Sequence, residues 1–213
     1  MNLVIRNENE ADYREVEEMT REAFWNLYCP GCEEHYLTHI IRSHPDYIKE
    51  LDFVAVSDGK IVGNILYTKS YVVDETGNKM DTLSFGPLCV HPEYQRKGVG
   101  KALIEHTRKL GLEMGYPAIL IYGDPHNYCV NGFINCKDLN ISNEEGKHPY
   151  GMLVLELKEG AFAGHQWTLH QSEVFHLDSE AVEEFDKQFP PKEKKTQYSQ
   201  VEFMMAVRAV LES

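Results

Sequence analysis

The stretch HPEYQRKGVGKAL, His91 to Leu103, constrains the fold of this chain more than any other. An apolar strand runs into it and ends near Val90. An apolar helix leaves it from about Val99 to Met114, where Gly115 and Pro117 stop it. Between them lie Gln95, Arg96, Lys97, Gly98 and Gly100. A helix start has unpaired N–H groups and a partial positive charge, so it attracts anions. The two glycines let backbone amides approach a ligand closely, while Arg96 and Lys97 add charge that suits a phosphate. The turn reads as a pyrophosphate cradle. Taken by itself, it also fits a tight strand-to-helix connection with solvated basic residues. Two familiar phosphate loops do not match. Gly100-Lys101-Ala102 lacks the hydroxyl that a P-loop gives to magnesium, and Leu103 stands where a dinucleotide fingerprint has its third glycine.

The rest of the chain alternates in type around this turn. LVIRN, Leu3 to Asn7, alternates like a short strand. Tyr13, Val16, Met19, Ala23, Phe24 and Leu27 recur at helical spacing and predict an amphipathic helix reaching to CPGC, where Pro30 and Gly31 break it. EEHYLTHIIRSH predicts a second helix that ends before Pro45. The segment from Asp52 to Val73 reads as a hairpin turned at Asp58-Gly59. Another strand follows, interrupted at Gly86-Pro87. PAILIYG is the uniform apolar run of a strand buried on both faces, NYCVNGFINC a brief helix before a strand, and YGMLVLELKEG a further strand. This order predicts a mixed α/β layer architecture. Beyond Gly160, WTLHQSEVFHL fits a strand and DSEAVEEFDKQF a helix capped near Asp178 or Ser179. PPKEKK reads as a solvated linker. VEFMMAVRAVL predicts a closing helix with Phe203, Val207, Val210 and Leu211 on one face, buried in the core or against a second copy.

Charge narrows the partners. With 21 Lys+Arg against 34 Asp+Glu, the chain carries a formal charge of −13, which argues against a nucleic-acid surface and mildly favours cationic partners. Its 42% hydrophobic content is enough to build a core. No apolar run is long enough to cross a bilayer, and MNLVIRNENEADY has neither the basic start nor the apolar core of a signal peptide, so a cytoplasmic location without membrane contact is expected. The five cysteines are scattered, as reduced thiols would be.

The segment GPLCVHPEYQRKGVGKALIEHTRKLGLEMGY resembles the acetyl-CoA-binding core of the GCN5-related N-acetyltransferases (GNAT). In that family a strand reading apolar-x-apolar-x-Pro precedes Gln/Arg-x-x-Gly-x-Gly/Ala and a helix. Leu88, Val90, Pro92, Gln95, Arg96, Gly98, Gly100 and Ala102 match it position by position. Downstream the family places a Tyr four residues before a Gly-Phe pair, and Tyr128, Gly132 and Phe133 match that register. The wording GDPHNYCVNGF looks most like a branch of predicted bacterial acetyltransferases. It departs from that branch in having Asn127 directly beside Tyr128, and Val130 and Asn131 where Arg and Phe are common.

The resemblance implies a GNAT fold, a central and mostly antiparallel mixed sheet flanked by helices, over residues 1–157. Residues 158–213 would be a C-terminal extension packed on the same domain. It implies acetyl-CoA as donor, held by Leu88, Cys89, Val90, Gln95, Arg96, Lys97, Gly98, Val99, Gly100, Lys101 and Ala102, and a small-molecule or peptide amine as acceptor. It also implies Tyr128 as the proton donor to the departing thiolate. Relatives often dimerise, so a homodimer is included in what it implies.

A free alkylamine is neutral in only about one molecule in 2,500 at pH 7, so transfer benefits from a base. Glu22, Glu33, Glu34, His35, Asp81, Asp124 and His126 are candidates to line the acceptor cleft. No metal is expected. Cys29 and Cys32 form a Cys-x-x-Cys pair, but no second pair has matching spacing, and His35 and His39 are its best available partners. Two alternatives stand beside the enzyme: an acyl-CoA-binding module without catalysis, and a zinc-bearing interaction protein built on CPGC.

Overall fold

The computed structural model describes residues 2–212. In chain order the elements are β1 (Leu3–Asn7), α1 (Tyr13–Phe24), α2 (Glu34–Ile41), β2 (Phe53–Ser57), β3 (Lys60–Asp74), β4 (Lys79–Val90) and α3 (Val99–Glu113). Then follow β5 (Ala118–Tyr122), α4 (Pro125–Tyr128), β6 (Ile134–Asn135), β7 (Ile141–Ser142), β8 (Met152–Glu156), β9 (Trp167–His170), α5 (Ser179–Asp186) and α6 (Tyr198–Arg208). Among the described residues these form one nine-stranded sheet in the order β1-β2-β3-β4-β5-β8-β6, with β9 on β3 and β7 on β9. All neighbours are antiparallel except β4–β5 and β7–β9. The expected mixed, mostly antiparallel sheet is present.

The turn at Asp58-Gly59 shows why the sequence makes this hairpin. Both residues have positive φ, 50° and 79°, the conformation of a tight two-residue turn whose twist matches its strands. Strand alternation then sorts the core onto two faces. Phe53, Ala55, Val62 and Ile65 face α3, where they pack with Val99, Leu103 and Ile104. Val54, Ile61 and Cys89 face α1 and meet Val16 and Met19. Two close approaches seat α3. A Cβ on Gly63 would lie 2.7 Å from Val99 Cγ1, and one on Gly111 would lie 2.7 Å from Leu83 Cδ1.

Several sequence expectations change in detail. α1 ends at Phe24 rather than at CPGC, because Asn26 takes φ 60° and its side chain organises the loop. Asn26 Oδ1 accepts from the N–H of Gly31 at 2.9 Å and of Lys195 at 3.0 Å, and its Nδ2 donates to the Glu193 carbonyl at 3.0 Å. The PPKEKK segment is therefore strapped to the α1–α2 loop through backbone hydrogen bonds instead of running free in water. The closing helix stops at Arg208, so Val210 and Leu211 lie beyond it, and Val207 is exposed. Its apolar face is not buried in the core. The helix is held by its ends: Ser199 Oγ donates to the Leu27 carbonyl at 2.9 Å, and the Tyr150 N–H donates to the Ala209 carbonyl at 2.9 Å.

Beneath α2 lies a polar layer. Arg42 holds Glu8 through two hydrogen bonds of 2.9 and 2.8 Å and Glu17 through one of 3.0 Å. Asp52 receives the Tyr47 hydroxyl and Asn64 Nδ2. Burial, and then the adjacent Glu8 carboxyl, push Asp52 from the ordinary 3.8 up to about 8. The folded protein thus keeps a proton that the unfolded chain has released. The stability from this site is complete below about pH 4 and is lost as the pH rises towards about 8. Denaturant unfolding should show stability declining over that interval, and Asp52→Asn should flatten the decline. An unaltered slope in the variant would remove the assignment.

Candidate functional site

The site begins where two strands part. β4 and β5 pair only at Leu83↔Ile119. Past that point β4 stays on β3, but its register shifts between Ile65 and Tyr67, so that Gly86-Pro87, a cis peptide, stands opposite the single residue Leu66. Among the described residues no strand covers the β5-facing edge of β4 beyond Leu83. The His91 N–H donates to the Val62 carbonyl at 3.0 Å, which fixes the alternation. Cys89 and His91 turn their backbone groups to β3, and Leu88 and Val90 turn theirs to the open edge. Gln95 Nε2 reaches back to the outward Val90 carbonyl at 3.2 Å.

The turn after β4 leaves its amides free. Arg96 and Gly98 take φ 58° and 85°, and the first bond inside α3 runs from the Ala102 N–H to the Gly98 carbonyl at 3.0 Å. Among the described residues no protein acceptor takes the N–H of Arg96, Lys97, Gly98, Val99, Gly100 or Lys101. Nothing lies within 4 Å of the Cβ that Gly98 lacks, so the space over the turn is open. Arg96 is exposed and makes no ion pair with the described residues, Lys97 lies 5.2 Å from the Tyr94 ring centroid, and Lys101 pairs with Glu105 at 3.7 Å. Val99 alone turns inward and is buried against Gly63. Converging free amides and an unpaired guanidinium are a fitted receptor for an anion.

Across the opening, the end of β5 presents Tyr128. Asp124 caps α4 by accepting from the His126 N–H at 2.9 Å. The Tyr128 ring lies on Gly123, where a Cβ would come within 2.4 Å of it. Gly132, at φ 93°, reverses the chain and drops Phe133 into the core. Phe133 and Phe85 then flank the Tyr128 ring at 5.7 and 5.8 Å between centroids. This explains the spacing of Tyr and Gly-Phe: the glycine makes the reversal and the phenylalanine supports the phenol. Burial, then Tyr28 and Asp124, raise the Tyr128 phenol well above its ordinary range, so it stays protonated at neutral pH.

The candidates for the acceptor side separate. His35 is buried against Asp186 and two phenylalanine rings, and burial lowers it to about 4. Glu22 pairs with Lys192 at 2.6 Å, Asp81 with Lys79 at 3.6 Å, and Glu33 and His126 are exposed. Glu34, at the start of α2, has its carboxyl raised by burial, and its charge is felt by Tyr28 and by Cys89 of β4. Tyr28 stacks on Phe203 of α6 at 4.4 Å and influences Tyr128, so the α1–α2 loop and the C-terminal helix border the opening. All five cysteines are free. Among the described residues no three His, Cys, Asp or Glu side chains stand together as a metal-binding group, and His39 pairs with Glu17 at 2.9 Å.

Sequence reading missed Gly63, Gly123 and Asn26 as parts of this site. A glycine inside a strand signals a close backbone approach, and that could have found Gly63. Nothing local marks Asn26, whose partners are far along the chain.

Comparison with known proteins follows the same outline. The model of the acetyltransferase (GNAT) family matches residues 17–134. An uncharacterized N-acetyltransferase of Escherichia coli K12, YhbS, is 27% identical over 132 residues, 62% of this chain and 73% of that protein. A probable hydrolase of Bacillus subtilis 168, YhcX, is 28% identical over 143 residues, 59% of this chain and only 27% of that protein; the chain thus spans about a quarter of its length. Among solved structures, Escherichia coli YhbS in complex with CoA superposes with a TM-score of 0.71 at 22% identity, covering 83% of this chain and 93% of that one. A Brucella melitensis GNAT acetyltransferase in complex with acetyl-CoA gives 0.61 at 21% identity, over 82% and 98%. These two likenesses show the fold. The family match spans more than half of the chain and includes both the free amides of the turn and Tyr128. This chain belongs to the acetyltransferase (GNAT) family.

Proposed function

We propose that the protein transfers an acetyl group from acetyl-CoA to a primary amine of a small molecule or peptide, directly, within a ternary complex. The observation that carries this reading is the meeting of the uncovered β4 edge with the free amides at the start of α3. Acetyl-CoA supplies an activated acetyl thioester and a diphosphate. Backbone groups of the Leu88-Cys89-Val90 segment would hold its extended arm in the manner of an added strand, with Leu88 and Val90 the residues that face outward. The free amides of Arg96, Lys97, Gly98, Val99, Gly100 and Lys101 would hold the diphosphate, while Gln95 and Ala102, whose N–H groups bond the Pro92 and Gly98 carbonyls, would border it. The CoA and acetyl-CoA in the Escherichia coli and Brucella structures support the same donor here.

In the chemical step the amine nitrogen forms the C–N bond, the C–S bond breaks, and its electron pair leaves on sulfur. Tyr128 donates the phenolic proton to that sulfur and recovers one from the nitrogen, which sheds its extra proton as the amide forms. A high phenol pKa keeps this proton in place until it is needed. Direct transfer agrees with the thiols. Burial raises Cys29, Cys32, Cys89 and Cys136, so none of these is set as a thiolate to carry the acetyl group. Free cysteines also agree with action in the cytoplasm. We read residues 158–213 as an extension of the same domain, because β9 continues the edge of β3 and α6 borders the opening.

An amine panel with acetyl-CoA, read as free thiol released, tests the activity. Acceptor-dependent release is expected, and tight cofactor binding with no turnover would favour a binding module instead. Arg96→Glu should raise the acetyl-CoA dissociation constant about tenfold or more, a change of about 1.4 kcal/mol. Unchanged affinity by calorimetry would remove the cradle. Tyr128→Phe should lower kcat by about 10²–10⁴-fold with cofactor affinity near wild type. Gly123→Ala, which forces the ring off its seat, should lower kcat in the same sense. A Phe variant at full rate, with chemistry rate-limiting, would strip Tyr128 of its role.

A further inference from the structure

We propose that Phe175, brought by the C-terminal segment, and Tyr122, at the end of β5, form an aromatic acceptor site that selects an amine carried on an aryl or alkyl skeleton. The inference rests on the acetyl-transfer reading above and gives its acceptor a chemical class. Its ground is a contact on the uncovered stretch of β4. The Cβ that Gly86 lacks would lie 3.2 Å from Cε1 of Phe175 and 3.9 Å from its Cζ. The tip of the ring thus rests where a side chain would otherwise project from the strand.

Strand alternation places this contact on the face of the sheet turned away from α3. Leu83 and Phe85 pack in the core beneath α3, so Ser84 and Gly86 point the other way. On β5, Ile119 and Ile121 pack beneath α3, whereas Ala118 and Leu120 pack with Met152 and Trp167, so Tyr122 shares the face of Gly86. The two strands last meet at Leu83↔Ile119, and Gly86 and Tyr122 lie equally far beyond that pair. Phe175 and Tyr122 therefore flank one gap. On its α3 side the gap is filled by the buried Phe85 and Phe133 rings, 6.0 Å apart, and by Tyr128. A second substrate is left to reach the β4 edge from the side of Phe175 and Tyr122.

Both rings are unused by the protein itself. Among the described residues neither makes a ring–ring or cation–ring contact. By contrast, Phe85, Tyr128 and Phe133 pack on one another, and arginines lie over Tyr13, Trp25 and Phe189. Phe175 is half-buried and Tyr122 is 49% exposed. Free aromatic faces attract an ammonium group and the apolar carbon that carries it. The wall is also firmly placed. Ser172 Oγ donates to Asp46 Oδ2 at 2.7 Å, Gln171 Nε2 donates to Ser84 Oγ at 2.9 Å, and Val174 is buried with Leu37 and Ile41 of α2. Across the gap, the Tyr122 hydroxyl donates to Met152 Sδ at 3.6 Å. Phe175 lies beyond the family match, which ends at residue 134, so the C-terminal segment adds this wall to the matched core.

Phenethylamine and ethanolamine, which differ in carrying a phenyl or a hydroxyl group, test the site. In wild-type protein with acetyl-CoA, phenethylamine should have the lower KM by about tenfold or more. Phe175→Ala should raise that KM about tenfold, more than it lowers kcat, with acetyl-CoA affinity near wild type as a check on folding. The KM of ethanolamine should move less, so the preference shrinks, and Phe175→Leu should restore part of it. Because Phe175 also packs on α2, Tyr122→Ser, at an exposed side chain, is the second variant and should shrink the preference in the same way. Independently of turnover, calorimetry reads phenethylamine binding to the CoA-loaded protein, and each variant should weaken it about tenfold. Equal KM values and equal binding for the two amines in wild-type protein overturn the inference. So does a preference that survives both Phe175→Ala and Tyr122→Ser. A wild-type protein that acetylates no amine, yet binds phenethylamine in preference and loses that preference in the variants, overturns the acetyl-transfer reading and keeps the site.

Discussion

The parting of β4 from β5 after a single bridge, Leu83↔Ile119, is the constraint on which the rest of the molecule depends. A sheet normally hides its strand edges, because unpaired N–H and C=O groups invite another chain. Here the edge is opened in the middle of the sheet, where flanking helices and loops can supervise what enters. The register shift at Gly86-Pro87 lets β4 remain on β3 while abandoning β5. Every functional feature then lies on a rim of the opening. The cradle of α3 follows the end of β4, and Tyr128 follows the end of β5.

Close approaches make the rims rigid. Gly63 lets Val99 sink onto β3, which fixes the direction in which the first amides of α3 point. Gly123 does the same for Tyr128 by removing the one atom that would lift the ring, and Phe133 closes on it from the other side. Packed interiors tolerate little displacement, so these contacts convert core packing into placement of the groups on the two rims.

The acidic side of the opening is assembled by the C-terminal segment. Trp25, Asn26, Leu27 and Tyr28 are gripped by Glu193, Lys195, Ser199, Gln200 and Phe203, so the loop that carries CPGC is held by residues far along the chain. Charge is treated selectively there. Buried carboxylates such as Glu17 and Asp186 are neutralised by arginine, whereas Glu34 is met by a thiol and an amide. The overall acidity of the chain is mostly a solvated surface.

Much of this was legible in the residues themselves. Asp58-Gly59 determines a hairpin because both positions tolerate positive φ, and the unbroken apolar run of β5 announces a strand covered on both faces. Gly98 at the entry to an apolar helix determines a turn that leaves its amides free, and Gly132-Phe133 marks the reversal that supports Tyr128. Those signals are local: each depends on backbone freedom or side-chain periodicity within a few residues. The tertiary structure decided what depends on distant partners. Asn26 ends α1 early because its amide bonds meet Glu193 and Lys195, and PPKEKK is ordered for the same reason. The apolar pattern of the last helix promised a buried face, yet its ends are tied to Leu27 and Tyr150 and hold it across the surface. Which of the many carboxylates are paired with arginine was decided there too, since pairing is a property of the neighbours that folding brings and not of the spacing of acidic residues along the chain.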